Sequence, residues 1–256
     1  MGSVSYRDGI AILQLIVFPF IFAASIFIWR KSGWRIGSRI WRYPATLSLI
    51  RIAGSICTLL TITNKSRNVL IGAYVCELIG IAPLLLTFIG VLRQIDLEER
   101  IPRRGSNLIA LVTIIGLILG IAGVSEASNG DYKNGLTMGA MGIFLAVFVI
   151  FVLMTVWLWL QTHSNLRVFQ KKLFLAVAIS IPFVLVRVIY SALSDYTDIP
   201  RFQINGSDTV YLCMSVLEEI VAMVVTMALG TSAVLQRDFV KFGLQQQSSE
   251  PKIDAV

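Results

Sequence analysis

Five ionisable residues lie inside strongly apolar stretches of the sequence, where a charge is costly and chemistry is a common reason to keep one. They comprise two arginines and three glutamates: Arg51, Glu77, Arg187, Glu218 and Glu219. In a bilayer each such charge costs at least about 2.5–3.5 kcal/mol on insertion scales, so it normally faces a partner or a water-filled cavity. These five residues are therefore the candidate catalytic site.

Their depth in the expected helices places four of the five in one layer. At 1.5 Å per residue, Glu77 and the Glu218–Glu219 pair lie about 12–14 Å from the starts of their helices. Arg187 lies about 10 Å from the end of its own helix. Arg51 lies deeper, about 18 Å from its helix end, and its long side chain can reach toward the layer or toward the opposite interface.

The charge count of this layer predicts an acid. Three carboxyls face one arginine, or two if Arg51 joins, so at least one carboxyl is expected to remain protonated. A protonated carboxyl is what a general acid needs, and we expect Glu77 and one of Glu218 and Glu219 to donate protons while Arg187 holds another carboxylate. Neighbours on a helix diverge by about 100°, so only one member of the adjacent pair can face the site. The alternative is that Arg–Glu pairs only hold helices together.

Four aromatic residues are candidates for a substrate-binding wall, because aromatic faces attract cations that form during a reaction. They are Tyr74, Phe88, Tyr190 and Tyr211. A role in the core or at the membrane interface is the alternative for each of them.

Composition bounds the class of protein that carries this site. Of 256 residues, 56% are hydrophobic and only 14% are charged, whereas soluble domains average about 45–50% and 25%. This excludes an ordinary soluble domain and a disordered chain. One histidine and three cysteines exclude a di-iron site, a bis-histidine haem and a disulfide framework. We expect no cofactor and no metal, and we interpret the single Asp195-x-x-Asp198 pair as solvated rather than as a magnesium site.

The elements that must position the site are seven apolar stretches, each long enough to cross a hydrocarbon core of about 30 Å as a helix. They predict an all-α, polytopic seven-helix transmembrane domain over residues 1–235 and a flexible tail over 236–256. The predicted spans are Ile10–Trp29, Ala45–Thr63, Val69–Leu92, Leu108–Val124, Met138–Leu160, Leu173–Ser194 and Val210–Leu235.

Basic residues orient these spans. Fifteen of the 22 lysines and arginines fall on one side of the predicted membrane, five on the other and two inside the spans. By the positive-inside rule the N-terminus is lumenal or outside and the C-terminus is cytosolic. The basic loops then face anionic lipid, so the lipid bilayer is the expected partner and nucleic acid is not.

Other motifs modify this interpretation only slightly. The inner end of the third span, Gly90–Gln94, lacks the acidic-Arg-aromatic switch of G-protein-coupled receptors, and no span contains the lysine that retinal requires. Gly116 and Gly120 form a G-x-x-x-G pattern, as do Gly135 and Gly139, which indicates close packing within the chain or a dimer face. The oligomeric state stays open.

Prolines in two spans predict helix kinks, at Pro83 and Pro182.

Several stretches resemble a largely uncharacterised fungal family of seven-span integral membrane proteins. The resemblance covers nearly the whole chain, and its residues are Tyr6–Ala11, Ser48–Gly54, Gly80–Leu86, Gly120–Gly123, Pro182–Tyr190 and Leu217–Glu219. It implies a protein of the endoplasmic reticulum or another endomembrane, in fungal secondary metabolism.

A looser similarity is to the fungal membrane-bound terpene cyclases of meroterpenoid pathways, which are small, seven-span and poor in histidine. It implies metal-independent cyclisation or isomerisation of a lipophilic prenyl substrate, protonated at an epoxide or alkene by Glu77 and by Glu218 or Glu219. A prenyltransferase and an epoxidase would be its pathway partners. The alternatives are a receptor-like sensor or small-solute transporter with a buried ionisable site, and a structural partner of another enzyme.

Overall fold

The computed structural model of the chain describes residues 5–32, 40–62, 67–96, 100–126, 134–163, 166–197, 199 and 207–236. These residues form helices and connecting turns, with no strand among them. Several sequence features lie outside the described residues. They are Asn64 and Asn205, each of which begins an Asn-x-Ser glycosylation sequon on the predicted lumenal side, together with Asp198 and residues 237–256 of the predicted tail.

The described helices run along the chain in nine pieces. A π-helical turn, Leu212–Val216, joins the last two of them. The helices are α1 Tyr6–Lys31, α2 Arg42–Leu60, α3 Arg67–Ile79, α4 Ile81–Ile95, α5 Arg103–Glu126, α6 Gly135–Thr162, α7 Val168–Tyr196, α8 Asp208–Tyr211 and α9 Leu217–Val234.

Among the described residues, seven segments are long and apolar enough to cross a membrane, which confirms the predicted all-α, seven-span architecture. Five of them are single helices, namely α1, α2, α5, α6 and α7. The third span runs through α3 into α4, and the seventh comprises α8, the π-helical turn and α9.

The outward faces of the bundle are apolar. Phe20, Leu153 and Leu160 are 74%, 63% and 66% exposed. In water such a surface would promote aggregation, whereas lipid tails solvate apolar side chains without a free-energy penalty. The exposed surface therefore supports the same conclusion as the helix lengths, namely a membrane protein.

Helix α4 is the centre of the bundle. Fourteen of its fifteen residues are buried, and it contacts α2, α5, α6 and α7. Phe88 packs there with its ring centroid 5.8 Å from that of Phe151 in α6. Around this centre the most extensive packing is between α7 and α9, between α1 and α2, and between α5 and α6.

A glycine sets the approach of α5 to α6. A Cβ added to Gly116 would lie 2.9 Å from Cγ2 of Ile143, which is closer than real side chains allow. Gly116 thus serves packing within the chain, one of the two roles that the sequence left open. At Gly135 and Gly139 in α6, an added Cβ would meet no atom within 4 Å.

Two irregularities interrupt the spans near the ionisable residues. The third span is broken at Gly80, three residues before Pro83, whose ring and missing N–H destabilise the preceding helical turn. The seventh span contains the π-helical turn immediately before Glu218 and Glu219. Such turns are rare and often occur at functional sites. The sequence predicts the first interruption through Pro83 but gives no signal for the second.

Candidate functional site

A buried carboxylate with two arginines joins three helices. Arg51 of α2 binds Glu219 of α9 through two hydrogen bonds, from Nε to Oε1 at 2.6 Å and from Nη2 to Oε2. Both residues are buried, with 3% and 1% of their surface exposed. Nε of Arg187 in α7 lies 3.8 Å from Oε2 of Glu219. This triad of Arg51, Glu219 and Arg187 carries a formal charge of +1 when all three groups are ionised.

The missing side chain of Gly80, at the break in the third span, makes room for Arg51. A Cβ on Gly80 would lie 2.5 Å from Nη2 and 2.9 Å from Cζ of Arg51. The guanidinium therefore rests directly on the backbone at the residue between α3 and α4. Only glycine permits this approach.

Arg187 ties the triad to α3 as well. Its Nη2 donates to the main-chain carbonyl of Glu77 at 3.3 Å, and its Nη1 donates to Oγ of Ser191 at 2.6 Å. Glu77 lies two residues before the end of α3, where the helix dipole favours a cation. Arg187 thus stabilises the end of a broken helix and the buried carboxylate together.

The side chain of Glu77 has a different partner. Its Oε2 accepts a hydrogen bond from Nη2 of Arg7 at 3.3 Å, and the two side chains are 15% and 25% exposed. The guanidinium of Arg7 also lies 5.5 Å from the ring centroid of Tyr211, a cation–π distance. The ring of Tyr211 lies 6.4 Å from that of Tyr190. Arg7, Glu77 and the two tyrosines therefore form a second cluster beside the triad.

A pocket of about 260 Å³ connects the two clusters. Its outermost residues, Ser5 and Thr61, cap the start of α1 and the end of α2. Arg51 lies ten residues before Thr61, so the pocket extends about 15 Å along α2. Its walls come from α1, α2, α3 and α8, and its charged and amide side chains are Arg7, Asp8, Gln14, Arg51 and Glu77.

Glu218 and Glu219 point in different directions, as their helical spacing predicts. Glu219 belongs to the triad, whereas Glu218 is half-buried and does not line the pocket. Oε2 of Glu218 is buried and has no hydrogen-bond partner among the described residues.

The four aromatic candidates also lie in different places, and only some of them are at the site. Tyr190 and Tyr211 lie at the second cluster, and Tyr211 lines the pocket. Phe88 belongs to the buried core around α4 and does not line the pocket. Tyr74 lies in α3, and its side chain is outside the described part of the structure.

Three residues of the site were not among the sequence candidates, because they belong to the first turns of α1. Arg7 and Asp8 precede the apolar run of the first span, and Gln14 is uncharged. The sequence could have indicated Arg7 and Asp8 as candidates, since they lie within one helical turn of the membrane and long side chains reach that far. With Arg7 included, the paired carboxylates Glu77 and Glu219 face three arginines.

The described residues contain no group of three or more His, Cys, Asp and Glu side chains arranged to hold a metal ion. The charged and amide side chains of the pocket can recognise charge, form hydrogen bonds and transfer protons.

Comparison with known proteins identifies the chain only at the level of a family. No curated protein and no solved structure matches it. A family model described as a domain of unknown function, DUF7702, matches residues 4–236 and so covers all nine helices and both clusters. The chain belongs to the DUF7702 family.

Proposed function

We propose that this DUF7702 protein binds a small polar molecule in the pocket between α1, α2 and α3, and acts as a membrane sensor or a small-solute transporter. One observation carries the proposal. Arg51 lines the pocket and also binds Glu219, the carboxylate that joins α2, α7 and α9. A ligand charge next to Arg51 would therefore act directly on the ion pair that holds three helices together.

The chemistry of the walls favours a polar ligand. Arg7, Asp8, Arg51 and Glu77 all face the pocket, and polar groups left unpaired after a ligand displaces water would cost binding energy. A small molecule with its own charges or hydrogen-bonding groups satisfies these side chains better than a long hydrocarbon does.

We place the pocket on the lumenal or outer side of a fungal endomembrane. The excess of basic residues in the opposite loops supports this orientation, because positive charges are retained in the cytosol. The resemblance to fungal seven-span proteins supports the source and compartment.

A substitution that fills the pocket tests the proposal. Ala73 lines the pocket, and Ala53 is an exposed residue of α2 outside it. The purified protein in detergent is screened for polar metabolites that raise its melting temperature, since a ligand that binds the native state stabilises it. We expect A73F to abolish the shift and A53F to retain it. Equal shifts in both variants, or no shift of the native protein with any compound, would contradict the proposal.

A metal-independent terpene or meroterpenoid cyclase or isomerase is the second candidate. The observation that favours it is the carboxyl of Glu77 beside Tyr211 on the pocket wall, with Tyr190 adjacent. An acid next to aromatic faces is the arrangement that would protonate a prenyl substrate and shelter the resulting cation. Its upstream partners would be a prenyltransferase and an epoxidase.

Expression in a host that is supplied with prenylated substrates tests this candidate through product analysis. We expect E77Q to abolish a cyclised product, and E218Q or E219Q to reduce it. Full turnover in all three variants, or no product from the native chain, would exclude the cyclase.

A further inference from the structure

The charges around the pocket are arranged in two levels of opposite sign. At the inner level the triad contains two guanidiniums and one carboxylate. At the outer level the pocket is lined by Arg7, which pairs with Glu77, and by a second carboxylate, Asp8. With all groups ionised, the inner level carries a formal charge of +1 and the outer level −1.

The inner level retains a donor for a ligand. Arg51 uses Nε and Nη2 to bind Glu219, and its Nη1 forms no hydrogen bond with any residue that the structure describes. Gln14, which is also buried, accepts a hydrogen bond from Oγ of Ser55 through Oε1, leaving its amide nitrogen as a second donor. A guanidinium from α2 and an amide nitrogen from α1, both lining the pocket, are donors suited to a carboxylate.

The outer level retains acceptors. Asp8 is 5% exposed and accepts from the main-chain N–H of Ser5 through Oδ2 at 2.7 Å. Glu77 accepts from Arg7 through Oε2. Within the described residues, the second oxygen of each carboxylate makes no hydrogen bond, so each can accept from a cationic group of a ligand.

The two levels are close together. Glu77 precedes Gly80 by three residues, about 4.5 Å along the helix, and Gly80 is the residue on which the Arg51 guanidinium rests. A ligand that spans Arg51 and Glu77 needs its opposite charges only a few ångströms apart.

We propose that the pocket takes a small zwitterion of amino-acid type, with its carboxylate against Arg51 and Gln14 and its ammonium against Asp8 and Glu77. This assignment rests on the proposed ligand-binding function and specifies its substrate class. A simple anion would meet the outer carboxylates, and a simple cation would meet the net positive triad, so each would satisfy only one level.

Calorimetry on the full chain in detergent tests the assignment. The probes are the common amino acids and, for any that binds, two analogues with the same side chain, a carboxylic acid without the amine and an amine without the carboxylate. We expect each analogue to bind at least about tenfold more weakly, which corresponds to the loss of one charge contact. An analogue that binds as tightly as the amino acid would overturn the zwitterion assignment.

Two isosteric variants examine the ammonium contacts separately. D8N and E77Q each remove a charge and keep an oxygen that can accept from Ser5 or Arg7. We expect each to weaken amino-acid binding about tenfold, whereas the carboxylate-only analogue should bind as tightly as before or more tightly, because a repelling carboxylate is gone. The matched control is E126Q at an exposed position outside the pocket, and circular dichroism of the ligand-free variants checks that they fold.

The outcomes separate this inference from the proposed function. If a compound with only one charge binds tightly and A73F removes that binding, the zwitterion assignment fails and the pocket function stands. If an amino acid binds equally to the native protein and to A73F, the pocket is not the site and both proposals fail. Unchanged amino-acid affinity in D8N and E77Q would also overturn the assignment.

Discussion

The guanidinium of Arg51 rests on the backbone of Gly80, at the residue that separates α3 from α4. Gly80 has helical dihedral angles, with φ −56° and ψ −28°, so any residue could adopt its conformation. The requirement for glycine is therefore steric. Through this contact, the residue at the break in the third span supports the arginine that forms the ion pair between α2 and α9.

Substitution of Gly80 by alanine should destabilise the protein. The new Cβ would lie 2.5 Å from Nη2 of Arg51, and that nitrogen cannot move without loosening its bond to Glu219. We expect a loss of about 1–3 kcal/mol, the usual cost of overpacking a core, measured by unfolding in mixed detergent and denaturant. G139A is the matched control, because its Cβ meets no atom within 4 Å and should stabilise the helix slightly. Equal stability of the two variants would refute the steric role of Gly80.

The adjacent glutamates of α9 should respond very differently to the same substitution. E219Q removes the charge that faces Arg51 and Arg187, and breaking a buried pair typically costs about 3–5 kcal/mol. E218Q changes a half-buried side chain with no ion pair among the described residues and should cost less than about 1 kcal/mol. The melting temperatures of the two variants give the comparison, and a larger effect at Glu218 would contradict the assignment of the triad.

The outer ion pair should contribute little to stability. The side chains of Arg7 and Glu77 are 25% and 15% exposed and their contact is 3.3 Å. A double-mutant cycle with R7Q and E77Q should give a coupling energy of about 0.2–1 kcal/mol, which falls as salt is added. A coupling of several kcal/mol, or one insensitive to salt, would show instead that this pair is as structural as Arg51 and Glu219.

The charge distribution predicts the orientation of the chain. The fifteen basic residues of the opposite loops and the C-terminal tail should remain in the cytosol, so α1 should begin on the lumenal side. A glycosylation acceptor added before residue 1 should be modified in microsomes, and one added after residue 256 should not. The reverse pattern would move the pocket to the cytosolic side.

The sequence determined by itself the seven apolar helices and the depth of each intramembrane charge. Hydrophobicity and helical rise are local properties of the chain, so Glu77, Arg187, Glu218 and Glu219 could be assigned to one layer in the outer half of the bundle before any contact was known. Arg51 was assigned a deeper position by the same reasoning. Pro83 likewise indicated an interruption near Gly80, because proline disrupts the preceding turn through its own ring.

Only the tertiary structure decided which of these charges meet. The partner of Glu77 is Arg7, which hydropathy assigns to a terminus, and the paired member of the adjacent glutamates is Glu219 rather than Glu218. Phe88 lies in the core while Tyr211 lies on the pocket wall, although both are aromatic residues in apolar spans. The depth of a charge follows from its position along one helix. Its partner depends instead on which helices are neighbours and on how each helix is rotated about its axis. Both properties are set by packing between segments that are distant in sequence.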